Sequence, residues 1–273
     1  MQQWRIESPQ SLDLEGVRRL EVRMVAGSVD VVGRTEDAES GAAQVEVSQV
    51  EGPLTVTLEN GTLTIVHERL TWGGLLDWVG GNRKASAVVS VSVPATCPVE
   101  LGVVSADAVV SGIDADKTAV KSVSGDVTLD GVRSDISAQT VSGDLESRKL
   151  HGALKFTTVS GDLTVVSGNS ERVKAETVSG DLTLDLDLRP GGRIDVSSVS
   201  GDLTLRMPAS VGLQVDVKTM SGSLDSAFDG VRAERKPGKA TLRGHIGSGD
   251  GRLSAKTVSG DVTLLRRTLQ EQA

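Results

Sequence analysis

The sequence predicts an all-β protein, a right-handed parallel β-solenoid (β-helix) whose first rungs are irregular or form a cap. Three observations predict it. The tetrapeptide Val-Ser-Gly-Asp recurs intact at Val123, Val141, Val159, Val178, Val199 and Val258. Each copy sits between two short runs that alternate apolar and polar residues, the period of a strand with one buried face. Glycine is abundant, at 31 of 273 residues, and helix-period patterns do not extend beyond a few residues.

Residues 1–100 form an irregular β segment on this reading. Stretches 17–24, 28–32, 43–50, 54–59 and 62–66 alternate as strands do, and Asn60-Gly61 marks a tight hairpin turn. A further strand over 87–93 ends at Pro94, and Met24-Val25-Ala26-Gly27-Ser28 echoes the later turn. The segment is either a set of irregular first rungs or a cap. A cap is needed wherever an open strand edge would otherwise pair with another chain.

Residues 101–265 carry the regular repeat. A variant turn at Val104-Ser105-Ala106-Asp107 precedes the intact copies, and Met220-Ser221-Gly222-Ser223 follows the fifth. From Val104 the turns are spaced by 19, 18, 18, 19, 21 and 21 residues, then by 38. The long gap is expected to hide one more unit, with Val231 to Arg235 as incoming strand, Lys236-Pro237-Gly238-Lys239 in place of the turn, and Ala240 to Arg243 as outgoing strand. A unit of about 19 residues cannot bury its apolar face alone. Stacked in parallel, the copies satisfy each other's backbone and line up interior ladders. The expected ladders are Ile136, Leu154, Val173, Ile194, Leu213; Ala138, Phe156, Ala175, Val196, Val215; and Leu145, Leu163, Leu182, Leu203, Leu224. The right hand follows from the bias of parallel crossovers. The turn valines conflict with this pattern: alternation points them outward, their apolar character inward, and a bend at the Thr-Val step would reconcile the two. Residues 266–273 are charged and polar and are expected to be a short tail on one continuous domain.

The units ending in Thr-Val-Ser-Gly-Asp-Leu-Thr-Leu resemble a bacterial family of β-strand-repeat proteins, a domain of unknown function whose members are often labelled "putative adhesin". The resemblance runs from about Val17 to Leu264. It implies a parallel β-solenoid, and it brings no enzyme activity, cofactor or catalytic residue to transfer.

Composition narrows the function. With 29 Lys and Arg against 37 Asp and Glu, the formal charge is −8, a poor match for a phosphate backbone. Three Trp, two Phe and no Tyr leave little surface for base stacking. Three His and one Cys do not supply a structural zinc site, and the lone Cys97 reads as a small buried hydrophobe. The polar stretch from Met1 to Leu20 and the lack of an 18-residue apolar run predict a cytoplasmic protein, with envelope association as the alternative.

Four features are candidate sites. Asp107, Asp126, Asp144, Asp162, Asp181 and Asp202 fall at equivalent turns, where stacked carboxylates would repel by about 1 kcal/mol per neighbour. They form either a cation-binding ridge or, as preferred here, a set of carboxylates each closing its own turn. Paired turn aspartates would also suit glycoside chemistry, but near-identical turns offer no unique pair with separated pKa values. Trp72 and Trp78 lie in a Gly-bounded interruption, as a lid or as a partner or membrane-surface contact. Arg232, Arg235, Lys236, Lys239 and Arg243 form a basic cluster in an acidic chain, a solvated variant rung or a receptor for an acidic partner. The resulting expectation is a non-catalytic scaffold or binding protein with no cofactor and no metal. It presents a repetitive surface to a macromolecular partner, a protein rather than a nucleic acid, with Trp72, Trp78, Arg232, Arg235 and Lys236 as contact candidates. A carbohydrate-active β-helix enzyme and a self-associating structural protein are the alternatives.

Overall fold

Alternating runs become strands throughout the computed structural model, which describes residues 1–36, 41–67 and 85–267. Among the described residues the regular structure is entirely β, and no helix is long and apolar enough to cross a membrane. The chain divides into two compact units, Met1–Asp144 and Leu145–Ala273.

The first unit contains β1 (Gln2–Ile6), β2 (Gln10–Leu14), β3 (Arg19–Arg34), β4 (Ala43–Glu51), β5 (Leu54–Glu59), β6 (Thr62–His67), β7 (Ser86–Pro94), β8 (Val99–Ser111), β9 (Asp114–Ser122), β10 (Val127–Asp130) and β11 (Arg133–Thr140). Strand β3 is a rung in register with β8: Met24 lies opposite Val103 and Ser28 opposite Asp107, so the Met24–Ser28 echo is a true corner. Parallel pairing continues from β8 to β9 and β10, and from β9 to β11. On its other side β3 pairs in parallel with β6 and β7. Antiparallel strands then take over: β5 on β6 and β1 on β5, β4 on β7 and β2 on β4. The N-terminal third therefore supplies both a rung and antiparallel strands that close the parallel stack's edge. Its core is a set of ladders, such as Ile65, Val22, Leu101 and Val120, each fully buried.

The second unit contains β12 (Leu145–Arg148), β13 (Leu154–Thr157), β14 (Leu163–Ser179), β15 (Leu182–Ser200), β16 (Leu203–Pro208), β17 (Leu213–Ser221), β18 (Leu224–Ser226), β19 (Val231–Lys236), β20 (Lys239–Ile246), β21 (Gly251–Ser259) and β22 (Val262–Arg267). After the corner, Leu145, Leu163, Leu182 and Leu203 stack in parallel register as expected. Then the order departs from the sequence. Val262 follows Leu203, and Leu224 follows Val262. Before the corner, Ile194 pairs with Leu253 and Leu253 with Val215. The last repeat, β21–β22, is thus inserted between its two predecessors.

Two expected ladders are corrected by this register. Leu213 lies opposite Gly251, and Val215, five residues before its corner like Ile194, belongs to the Ile194 ladder. Val217 likewise takes the place given to Val215, in line with Val196 and Ala255. The expected unit at Val231 to Arg243 is corrected too. Pro237-Gly238 allows only two residues between β19 and β20, so the chain reverses into an antiparallel hairpin instead of coiling onward. Strand β20 pairs antiparallel with β17 and carries His245. Arg266 and Arg267, expected in the tail, are the last residues of β22.

Candidate partner-binding surface

The corners are built by backbone stacking. Leu182 N–H donates to Asp202 O at 2.9 Å and Leu203 N–H to Asp261 O at 2.9 Å, so the ladder of hydrogen bonds runs through the turn without a break. This leaves no room for a side chain at the glycine. A Cβ on Gly180 would lie 2.3 Å from Gly161 O, on Gly201 2.3 Å from Gly180 O, and on Gly260 2.1 Å from Gly201 O. The Gly of the motif is a stacking residue.

The aspartates form a ladder of their own. Asp162 Oδ1 accepts the Asp181 N–H at 2.7 Å, Asp181 Oδ1 the Asp202 N–H at 2.8 Å, Asp202 Oδ1 the Asp261 N–H at 2.8 Å, and Asp261 Oδ1 the Ser223 N–H at 2.7 Å. In the first unit Asp107 accepts from Asp126 and Asp126 from Asp144. Each carboxylate caps the corner of the next repeat, which corrects the expectation that it closes its own. The Ser223 hydrogen bonds, with help from the Arg235 charge, hold the Asp261 carboxyl below its ordinary range. Among the described residues no three His, Cys, Asp or Glu side chains form a metal-binding group.

On the second unit the turn valines are exposed, so alternation prevails there, while Val123 and Val141 of the first unit are part-buried. The preceding hydroxyl residue takes the interior position and bonds the corner: Thr158 Oγ1 accepts the Gly161 N–H at 2.9 Å and Thr219 Oγ1 donates to Ser221 O at 3.0 Å. The spatial order on the second unit is Val159, Val178, Val199, Val258 and Met220, from the pairing of their neighbours. These side chains are 50, 49, 49, 45 and 64 % exposed. Beside them runs a column of exposed serines, Ser160, Ser179, Ser200, Ser259 and Ser221, and beyond it the exposed aspartates. The surface is three parallel stripes: apolar, hydroxyl and acidic. The sequence displayed these residues, but composition alone gave no reason to leave valine in water.

The basic candidates separate. Arg232 lies opposite Arg243 in the hairpin register, and Arg243 is paired with Asp216 at 3.2 Å. With Lys218 at 2.8 Å as the larger influence, this pairing holds the Asp216 carboxyl below its ordinary range. Arg235 donates to Gly222 O at 3.0 Å, tying the hairpin to the last corner. Together with Lys236 and Lys239 it lines a shallow cleft of about 470 Å³ against Met220. Charged side chains on an edge strand also guard it against pairing with other chains. Trp72 and Trp78 lie outside the described residues.

An open cleft of about 590 Å³ on the second unit is lined by Asp187, Arg189, Pro208, Asp250 and Arg267, among others. One of its arginines, Arg267, bridges Asp187 and, beside the cleft, Asp185 at 3.1 Å, which Arg206 also contacts at 2.5 Å. That network latches β22 to β15. Hydrogen bonds and paired cations hold the Glu176, Asp216 and Asp261 carboxyls below their ordinary range.

The family model for Toastrack DUF4097 matches residues 17–265. The comparison with curated proteins returns no match. Among solved structures, a protein from Bacteroides fragilis called a "putative adhesin" is similar at 12% identity with a TM-score of 0.47, covering 94% of this chain and 98% of its own. A Parabacteroides distasonis protein called a "putative lipid binding protein" is similar at 10% identity and 0.47, over 95% and 98% of the two chains. A Clostridium sporogenes protein called a "putative cell adhesion protein" is similar at 11% identity and 0.28, over 95% and 100%.

Proposed function

The chain belongs to the Toastrack DUF4097 family, and we propose that it is a non-catalytic binding protein, a right-handed solenoid scaffold that presents its Val-Ser-Gly-Asp corners to a protein partner. One observation carries the reading: four valines and a methionine stand about half exposed or more on successive repeats of the second unit. Contiguous exposed apolar surface on a soluble domain marks an interaction site more often than isolated apolar residues do. Two further observations support the absence of catalysis. The corner carboxylates are near-equivalent and committed to backbone N–H groups, whereas acid-base work needs titratable groups whose pKa values are set apart. In the cleft, Asp187 is paired with Arg267.

The test is affinity capture with mass spectrometry, comparing the wild type with Val178→Ser/Val199→Ser/Val258→Ser and, separately, with Trp72→Ala/Trp78→Ala. Loss of specific partners in the valine variant supports the corner surface. Loss in the tryptophan variant alone moves the interface to that segment and sinks this assignment.

A further inference from the structure

We propose that the valine column receives a basic amphipathic helix of the partner protein; this rests on the binding reading above and names the partner's chemistry. The argument begins with spacing. Successive repeats lie about 4.8 Å apart, so the four intervals from Val159 to Met220 span about 19 Å. Apolar residues along one seam of an α-helix recur about every 5.2 Å, so five of them span about 21 Å. The two rows stay in step to within half an interval. An extended strand laid along the column presents same-face residues about every 6.7 Å, or about 27 Å for five. It falls out of step by more than a whole repeat.

Charge then fixes the helix's flank. On one side of the valines stand Asp162, Asp181, Asp202 and Asp261, all exposed. On the other side the outward residues are mixed: Glu176, Ser197, Lys256 and Lys218. A helix whose apolar seam is bordered on one side by Lys or Arg meets the acidic stripe with opposite charge. A second copy of this chain is a poorer occupant. Docked antiparallel, it sets one aspartate column against the other. Five side chains also cover far less than the roughly 800 Å² that each partner of a standard interface contributes.

The test uses the full chain and two labelled synthetic helices of about five turns. Both carry Leu at alternating spacings of three and four, and one flank bears Lys in the first and Glu in the second. Fluorescence anisotropy is expected to show the Lys helix binding at least about tenfold tighter, with affinity falling as salt rises. Val178→Ser/Val199→Ser/Val258→Ser should abolish that binding. Asp181→Asn/Asp202→Asn, which keeps an oxygen for each corner N–H, should weaken it and flatten its salt dependence. If the serine variant does not fold, the isosteric Val→Thr set replaces it. Equal binding of the two helices, binding by neither, or binding indifferent to the valine variants overturns the proposal. If neither helix binds while the serine variant still loses its captured partner, the helix falls and the binding reading stands. A wild-type dimer that sediments as a monomer after serine substitution assigns the column to a second copy and likewise overturns the helix.

Discussion

The corner glycine makes the sharpest demand on the sequence, and Gly201→Ala tests it. Gly201 has φ +123°, well beyond the narrow left-handed well near +50 to +70° that other residues enter. Holding alanine there costs about 1–3 kcal/mol. The new Cβ would also stand 2.3 Å from Gly180 O and 2.8 Å from its carbonyl carbon. Real contacts of this kind begin near 3 Å, so one backbone must move, and the bonds between the two corners, from Gly180 N–H to Ser200 O and from Leu182 N–H to Asp202 O, stretch with it. Losing one such bond adds about 1 kcal/mol, for a total of about 2–4 kcal/mol. Gly191→Ala is the control: its φ is +74° and a Cβ there meets nothing within 4 Å. Backbone strain alone should cost it about 1–2 kcal/mol. Urea unfolding with a shared m-value reads both. If the two variants lose the same stability, the glycines serve only turn conformation, and the stacking account of the motif is wrong.

The remaining predictions probe the interior. Phe156 is fully buried, in a strand paired with Ala175, so Phe156→Ala should cost about 3–5 kcal/mol in the same unfolding assay. Cys97 is 2 % exposed and its thiol is pushed up to about 12, by burial and against the nearby Arg19 charge; a thiol reagent at pH 8 should label it only after denaturation. His67 is 2 % exposed, its Nδ1 accepts the Val25 N–H at 3.2 Å, and burial lowers its pKa. The folded state therefore prefers neutral histidine. Its contribution is complete above about pH 6.5 and is lost as pH falls below that value toward the folded pKa, by at most about 1.4 kcal/mol per pH unit; His67→Gln should remove this slope between pH 7.5 and 5. Asp202→Asn keeps an acceptor for the Asp261 N–H and should leave the melting temperature near wild type, whereas Asp202→Ala should lower it.

What the sequence conveyed and what it hid follow from the same physics. The repeats, the parallel register and the leucine ladder from Leu145 to Leu203 were legible because a stack imposes the same demands on every copy. The order of the copies was not. Strands such as those around Ile194, Leu253 and Val215 present equivalent edges, so no local feature states that the last repeat lies between the other two. The hairpin was hidden by analogy: Lys236 to Lys239 occupied the turn's place in the count, and only the two-residue Pro237-Gly238 link signalled a reversal. The valine stripe stayed undecided because hydropathy and alternation disagreed, and residue type cannot arbitrate between them.

Insertion of the last repeat also explains why one corner departs from the motif. In sequence Met220-Ser221-Gly222-Ser223 stands before the final intact copy, so it looks like an internal lapse. In space Asp261 lies between it and Asp202, and its Ser223 N–H is the last donor in the aspartate ladder. Each earlier aspartate is retained because the next corner offers it an N–H. Among the described residues no further corner offers one to residue 223, and a carboxylate there would add charge without a backbone donor to hold. In the first unit a serine, Ser28, also stands in register with Asp107, but at the opposite, accepting end of the ladder. Serine at residue 223 thus marks the end of the second unit's aspartate ladder, just past the strand where parallel stacking gives way to the antiparallel pairing of β17 with β20.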